Sequence, residues 1–147
     1  MQYQYKFEKI LVIKEREKDE ALNIYSQAVK RFEEAAEKLY ELLKKKEDLE
    51  SHQSSRLVSG LPVQEIRHHQ YFLQNLEKTI SHYQQIVINA RNHMNFYQEK
   101  LMKKNIEVKK YEKIKEKDLS KFTENQKQLE GKQMDDISIQ QFMNRGN

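Results

Sequence analysis

His68, His69, His82 and His93 are the residues whose chemistry would matter most if they converged. Imidazoles one helical turn apart, joined by a carboxylate, bind zinc, and a lone histidine beside a carboxylate moves protons. The spacing supports neither. His82 is not one turn from His69, and no cluster of acids accompanies the four, so they are expected to fill surface or seam positions. Asp135 and Asp136 form the most conspicuous acid pair, but they sit in a predicted flexible tail where nothing would set a catalytic separation or shift their pKa values. The chain has no glycine-rich phosphate loop, no Gly-x-Ser-x-Gly elbow and no His-Glu-x-x-His pattern. It has no cysteine either, which excludes thiol catalysis, disulfides and cysteine metal sites. No catalytic, cofactor or metal site is expected, and the protein is read as not an enzyme.

The elements that would hold any site are two amphipathic stripes. Alternating steps of four and three from Phe7 reach Leu11, Lys14, Lys18, Ala21, Tyr25, Ala28, Phe32, Ala35, Leu39, Leu42, Lys46 and Leu49. The same walk from Ile66 passes His69, Leu73, Leu76, Ile80, Tyr83, Val87, Ala90, Met94, Tyr97, Leu101, Lys104, Val108, Tyr111, Lys115 and Asp118, then Phe122, Asn125 and Leu129. A 3.5-residue repeat sustained this long keeps one seam facing a partner helix. Lysines at seam positions 14, 18 and 46 are expected to cover apolar neighbours with their stems while the ammonium groups reach water, with register control as a secondary effect.

Between the stripes, Ser51 to Leu61 lowers helix propensity, Gly60 can end a helix in the left-handed conformation, and Pro62 suits a first turn. The sequence therefore predicts an all-α, single-domain antiparallel coiled-coil hairpin. Its first helix covers about 3–56, the connection about 57–62, the second helix about 62–131, and a flexible tail 132–147. The second helix should outrun the first, leaving surface for a partner beyond the point where its companion ends. Three glycines and one proline cannot punctuate a multi-element globule, and a mean hydropathy of −1.03 with 34% charged residues argues for a narrow seam over a thick core.

The formal charge of +4 and pI of about 9.1 are mild. Nine lysines against four acids between Lys100 and Lys121 make a local basic stretch. A solvated coiled-coil face is favoured there over a nucleic-acid or lipid site, since no arginine-rich cluster or recognition-helix pattern is present. No apolar run approaches the roughly 20 residues that span a bilayer, and nothing resembles a signal peptide, so a soluble cytoplasmic protein is expected. Paired stripes within one chain predict a monomer in isolation. Off the seam, Tyr71, Phe72, Tyr40 and Leu43 are either contact points or a third buried stripe; the pattern leaves both open.

Three segments carry a family resemblance: Gln70-Tyr71-Phe72-Leu73-Gln74-Asn75-Leu76-Glu77-Lys78-Thr79-Ile80, the C-terminal Lys132-Gln133-Met134-Asp135-Asp136-Ile137, and the N-terminal Tyr5-Lys6-Phe7-Glu8-Lys9-Ile10-Leu11. In this order around one hairpin break, the chain resembles the flagellar export protein FliJ family. The resemblance implies a two-helix antiparallel coiled coil similar to that of the F1-ATPase gamma subunit. It also implies a soluble part of the flagellar type III export apparatus, peripherally associated with the cell membrane. Three partners follow from it: the hexameric export ATPase at the end carrying both termini, the export-gate membrane protein, and export chaperones.

The family's gate-binding patch falls here on Leu42, Leu49, Phe72 and Leu76, with Lys38, Lys45, Thr79 and Tyr83 at neighbouring positions. The lysines stand where the family has glutamine and tyrosine, and Tyr83 stands where it has histidine. At the other end, Ile114, Leu119, Phe122 and Leu129 offer apolar surface, helped by Tyr5 and Phe7, with Lys110, Lys113, Lys117 and Lys121 around them. These are the candidate ATPase-ring contacts. The expected function is an adaptor joining the ATPase ring to the gate and assisting chaperone and substrate delivery, without cofactor, nucleic acid or membrane insertion. The alternative is a coiled-coil scaffold that self-associates.

Overall fold

A computed structural model describes residues 2–145. It contains two helices, α1 (Glu8–Ser59) and α2 (Val63–Arg145), which pack against each other as an all-α hairpin. α1 stops where the sequence supplies a residue free of steric penalty at positive φ. Gly60 takes φ +85° and its N–H donates to the Leu57 carbonyl at 3.3 Å. α2 begins directly after Pro62, whose carbonyl accepts from the Glu65 and Ile66 N–H groups. The serines between 51 and 59 do not end α1, which runs three residues past the expected Arg56.

The chain divides into two compact units. The first comprises residues up to Asp19 and those from Lys103 onward. Its core is Tyr5, Leu11 and Val108, the last only 1% exposed, with Tyr3, Phe7, Tyr111 and Ile114 against it. Its register is antiparallel: Glu17 meets Lys104, Lys14 meets Glu107 and Glu8 meets Lys115. The second unit, Glu20–Met102, buries Ala28, Ala35, Leu76, Ile80 and Val87. It is antiparallel as well, with Lys46 beside Glu77, Arg56 beside Glu65, and the Arg91 guanidinium 5.8 Å from the Phe32 ring centroid. Every residue in these two cores except Tyr5 lies on a stripe read from the sequence.

Two of the three seam lysines, Lys14 and Lys46, pair across the helices while staying partly exposed, as the register effect requires; Lys18 is in no ion pair among the described residues. Lys14 is 3.2 Å from Glu107 and Lys46 is 3.6 Å from Glu77, so both tie one helix to the other. The Glu107 carboxylate beside it raises the Lys14 pKa against the opposing effect of burial. The hydrogen bond from Lys104 lowers that of Glu17.

Two boundaries depart from the sequence reading. Residues 2–7 precede α1 as a non-helical segment, where helix was expected from Tyr3. α2 continues through Gly131 to Arg145, where a flexible tail was expected from 132. Gly131 has no positive φ, and a Cβ added there would meet nothing within 4 Å. Glycine lowers helix propensity without breaking a helix, so Gly131→Ala should stabilise this turn by about 1 kcal/mol. The check is the far-ultraviolet helical signal followed on heating: the variant should keep it to higher temperature, and an unchanged melting profile would mean this stretch is not helical in solution. Among the described residues no helix is long and apolar enough to cross a membrane.

Candidate protein-binding surfaces

In the first unit the N-terminal segment forms an aromatic clasp on α2. Tyr5 donates its hydroxyl to the Tyr111 carbonyl at 2.9 Å, and Tyr3 donates to the Asp118 carboxylate at 3.0 Å. The Tyr3 and Phe122 rings lie 5.3 Å apart, Phe7 and Tyr111 6.3 Å. Lys115 completes the arrangement, bonding Glu8 at 3.0 Å with its ammonium 5.9 Å from the Tyr5 ring centroid. The clasp covers the seam face of α2 over the turns from Tyr111 to Phe122. Tyr5, Phe7 and Ile114, candidate ring contacts, are thus engaged within the chain, whereas Lys110, Lys113, Lys117, Leu119, Lys121 and Leu129 are exposed. Past Phe122, α2 has no partner helix. Its exposed large apolar residues there are Leu129, Met134, Ile137, Ile139, Phe142 and Met143.

Burial raises the pKa of Tyr3, reinforced by its bond to Asp118, and burial likewise raises that of Tyr5. Both phenols are therefore protonated donors in the fold. Because the folded values lie above the unfolded value near 10, their contribution is complete below pH 10 and is lost as pH rises through the folded values. Thermal stability should fall in that alkaline range. Phenolate absorbance should lose a late-titrating component in Tyr3→Phe/Tyr5→Phe. An unchanged titration in that variant would show the clasp to be open.

In the second unit the candidate gate patch separates into surface and core. Phe72 is 43% exposed, with the Lys45 ammonium 5.5 Å from its ring centroid. It stands between two shallow grooves that both include Leu49. One adds Arg56, Glu65, His68 and His69; the other adds Lys45, Asp48 and His52. Leu76, by contrast, is 7% exposed and belongs to the core, so it cannot present a contact surface while the hairpin is closed. Leu42, Leu49 and Tyr83 are half-buried, and Lys38 and Thr79 are exposed, Thr79 donating to the Asn75 carbonyl. Tyr71, Tyr40 and Leu43 are exposed too, so with Phe72 they are surface residues and form no third buried stripe.

The histidines do not come together as a site. His68 and His69 line the groove beside Phe72, while His82 packs edge-on against Tyr83 and His93 lines a separate groove with Ile24, Arg31, Ile86 and Tyr97. Among the described residues no group of three His, Cys, Asp or Glu side chains could hold a metal ion. The sequence reading missed Tyr3 as a functional side chain and missed the clasp altogether. The available signal was Tyr3-x-Tyr5-x-Phe7, whose period of two marks an extended segment with one aromatic face.

The family model described as flagellar FliJ protein matches residues 3–147. The flagellar FliJ protein of Bacillus subtilis (strain 168) is 54% identical over 146 residues, covering 99% of each chain. No solved structure matches.

Proposed function

The chain belongs to the flagellar FliJ protein family, which carries a role in flagellar export, and from that membership we propose that it is a two-site adaptor of the export machinery. One site is the end at which α2 outruns α1, taken to dock into the ring of the export ATPase. The other is the Phe72 surface of the second unit, taken to meet the export-gate membrane protein. Export chaperones would visit the same rod in the cytoplasm, at the membrane that holds the gate. The role is binding rather than catalysis, since the surfaces offered are shallow, apolar and lysine-rich.

The observation that carries this reading is the 83-residue α2, helical to Arg145 and unaccompanied after Phe122. An isolated helix of some 20 residues is marginal in water, and its exposed apolar side chains gain by docking. Leu119, Leu129, Lys113, Lys117 and Lys121 are candidate contacts on this end that are exposed, and Phe122 is half-buried beside Tyr3. Coelution of the full chain with the export ATPase hexamer, lost when residues 123–147 are removed, is the test. A chain that captured no ATPase but grew in mass with concentration would be the self-associating scaffold instead.

A further inference from the structure

The basic stretch of α2 is sorted by the fold in a way its composition does not show. Of its nine lysines, Lys104 and Lys115 are paired with Glu17 and Glu8, and the Lys100 ammonium lies over the Phe96 ring. The other six, Lys103, Lys109, Lys110, Lys113, Lys117 and Lys121, are exposed and in no ion pair among the described residues, although the Lys110 ammonium lies 5.7 Å from the Tyr111 ring centroid. At 3.6 residues per turn these six fall within an arc of about 120°, on the side of α2 opposite the seam that carries Val108, Tyr111 and Lys115. Ile106, 63% exposed, stands near the middle of that arc, and a shallow groove runs along Ile106, Lys109, Lys110 and Lys113.

The acids of the stretch are placed elsewhere. Glu107 pairs with Lys14, and Asp118 accepts from Tyr3. Glu112 and Glu116 lie outside one edge of the arc, and Glu124 closes it toward the C-terminus.

Lys109, Lys113, Lys117 and Lys121 repeat at a spacing of four, which sets each ammonium against the next and destabilises a helix in water. An anionic surface would turn that repulsion into attraction. The face has no arginine to chelate phosphate and no aromatic free to stack on bases, which disfavours nucleic acid. It has no aromatic or arginine anchor of the kind that dominates protein interfaces, and no deep pocket. What it offers is a straight row of point charges on flexible stems around one aliphatic side chain, a pattern that suits mobile lipid headgroups.

We propose that this lysine face lies against an anionic membrane surface, with Ile106 touching the headgroup layer. Lys110, Lys113, Lys117 and Lys121 are also assigned above to the ATPase ring, so membrane and ring would be successive occupants. The inference does not rest on that assignment.

The test is cosedimentation of the full chain with vesicles of phosphatidylcholine alone and of phosphatidylcholine mixed with phosphatidylglycerol. Binding to the mixed vesicles only is expected, and it should vanish in 1 M salt, where the Debye length is about 3 Å. Lysines near such a surface contribute roughly fivefold each to partitioning. Lys109→Gln/Lys113→Gln/Lys117→Gln should therefore lose more than tenfold, with helical content retained. Lys30→Gln/Lys44→Gln/Lys78→Gln, the same charge loss elsewhere, should lose much less. No binding to the anionic vesicles, equal losses in the two variants, or binding to a single-stranded oligonucleotide but not to vesicles would each overturn the proposal. The assay contains no ATPase, so its failure would leave the ring reading standing, and failure of the ring pull-down would leave this one.

Discussion

A chain ending at Phe122 should lose its hold on the export ATPase, by roughly a hundredfold or more in affinity, about 3 kcal/mol. The expectation follows from how the end of the hairpin is built. Up to Phe122, α2 is engaged by its own chain, through Tyr5 on the Tyr111 carbonyl and Tyr3 on Asp118 and Phe122. From Thr123 to Arg145 it has no partner helix, and Leu129, Met134, Ile137 and Phe142 are exposed. A truncation nearer residue 114 would also remove Phe122 and Asp118 from the clasp, confusing lost docking with a loosened hairpin. Ending at Phe122 removes the unpartnered helix and little else, so the first unit should keep its core of Tyr5, Leu11 and Val108. The measurement is coelution or ATPase stimulation, with helicity per residue followed in parallel. Normal binding by the truncated chain would place the ATPase contact elsewhere, and Leu129→Asp would then also be silent.

Those same residues mark what was legible in the sequence. Alternating steps of four and three selected Ala28, Ala35, Leu76, Ile80, Val87 and Val108 for burial, because a seam facing one partner must repeat at that period. Gly60 and Pro62 located the turn, because positive φ and a missing N–H are local requirements that the residue type alone satisfies.

Gly131 misled for a related reason. It has the same backbone freedom as Gly60 but remains helical, and no propensity scale distinguishes a glycine that ends a helix from one that merely weakens it. The clasp was hidden because Tyr3, Tyr5 and Phe7, in the non-helical segment before α1, are held by contacts more than 100 residues away, a range local patterns do not reach. The lysine face was visible only as a surplus of charge. Its sorting depends on which acids the other helix and the clasp engage, and only the register supplies that. Off the seam, Phe72 and Tyr71 could have formed a third stripe, and the two-helix geometry decided against it by leaving no third neighbour to cover them.

Phe72 and Leu76, one turn apart on α2, should give opposite results when each is changed to aspartate. Phe72 is 43% exposed, and the Lys45 ammonium lies over its ring. Phe72→Asp gives up that contact and some half-buried apolar area, a cost of about 1 kcal/mol, while the new carboxylate remains in water beside Lys45. The hairpin should stay helical and cooperative.

Leu76→Asp instead places a carboxylate in the core at 7% exposure. The lost burial and the desolvated charge together should cost about 4 kcal/mol or more, enough to open the second unit. If the Phe72 surface meets the export gate, Phe72→Asp should lower gate binding at least tenfold with its melting curve nearly unchanged. Leu76→Asp should lose binding and fold together, and for that reason the double variant is uninformative. Gate binding at full strength in a folded Phe72→Asp protein would remove the patch at its most exposed apolar residue. Wholesale unfolding by Phe72→Asp alone would show that its ring supports the seam, and the candidate gate surface would then have to be sought on Tyr71, Tyr40 and Leu43.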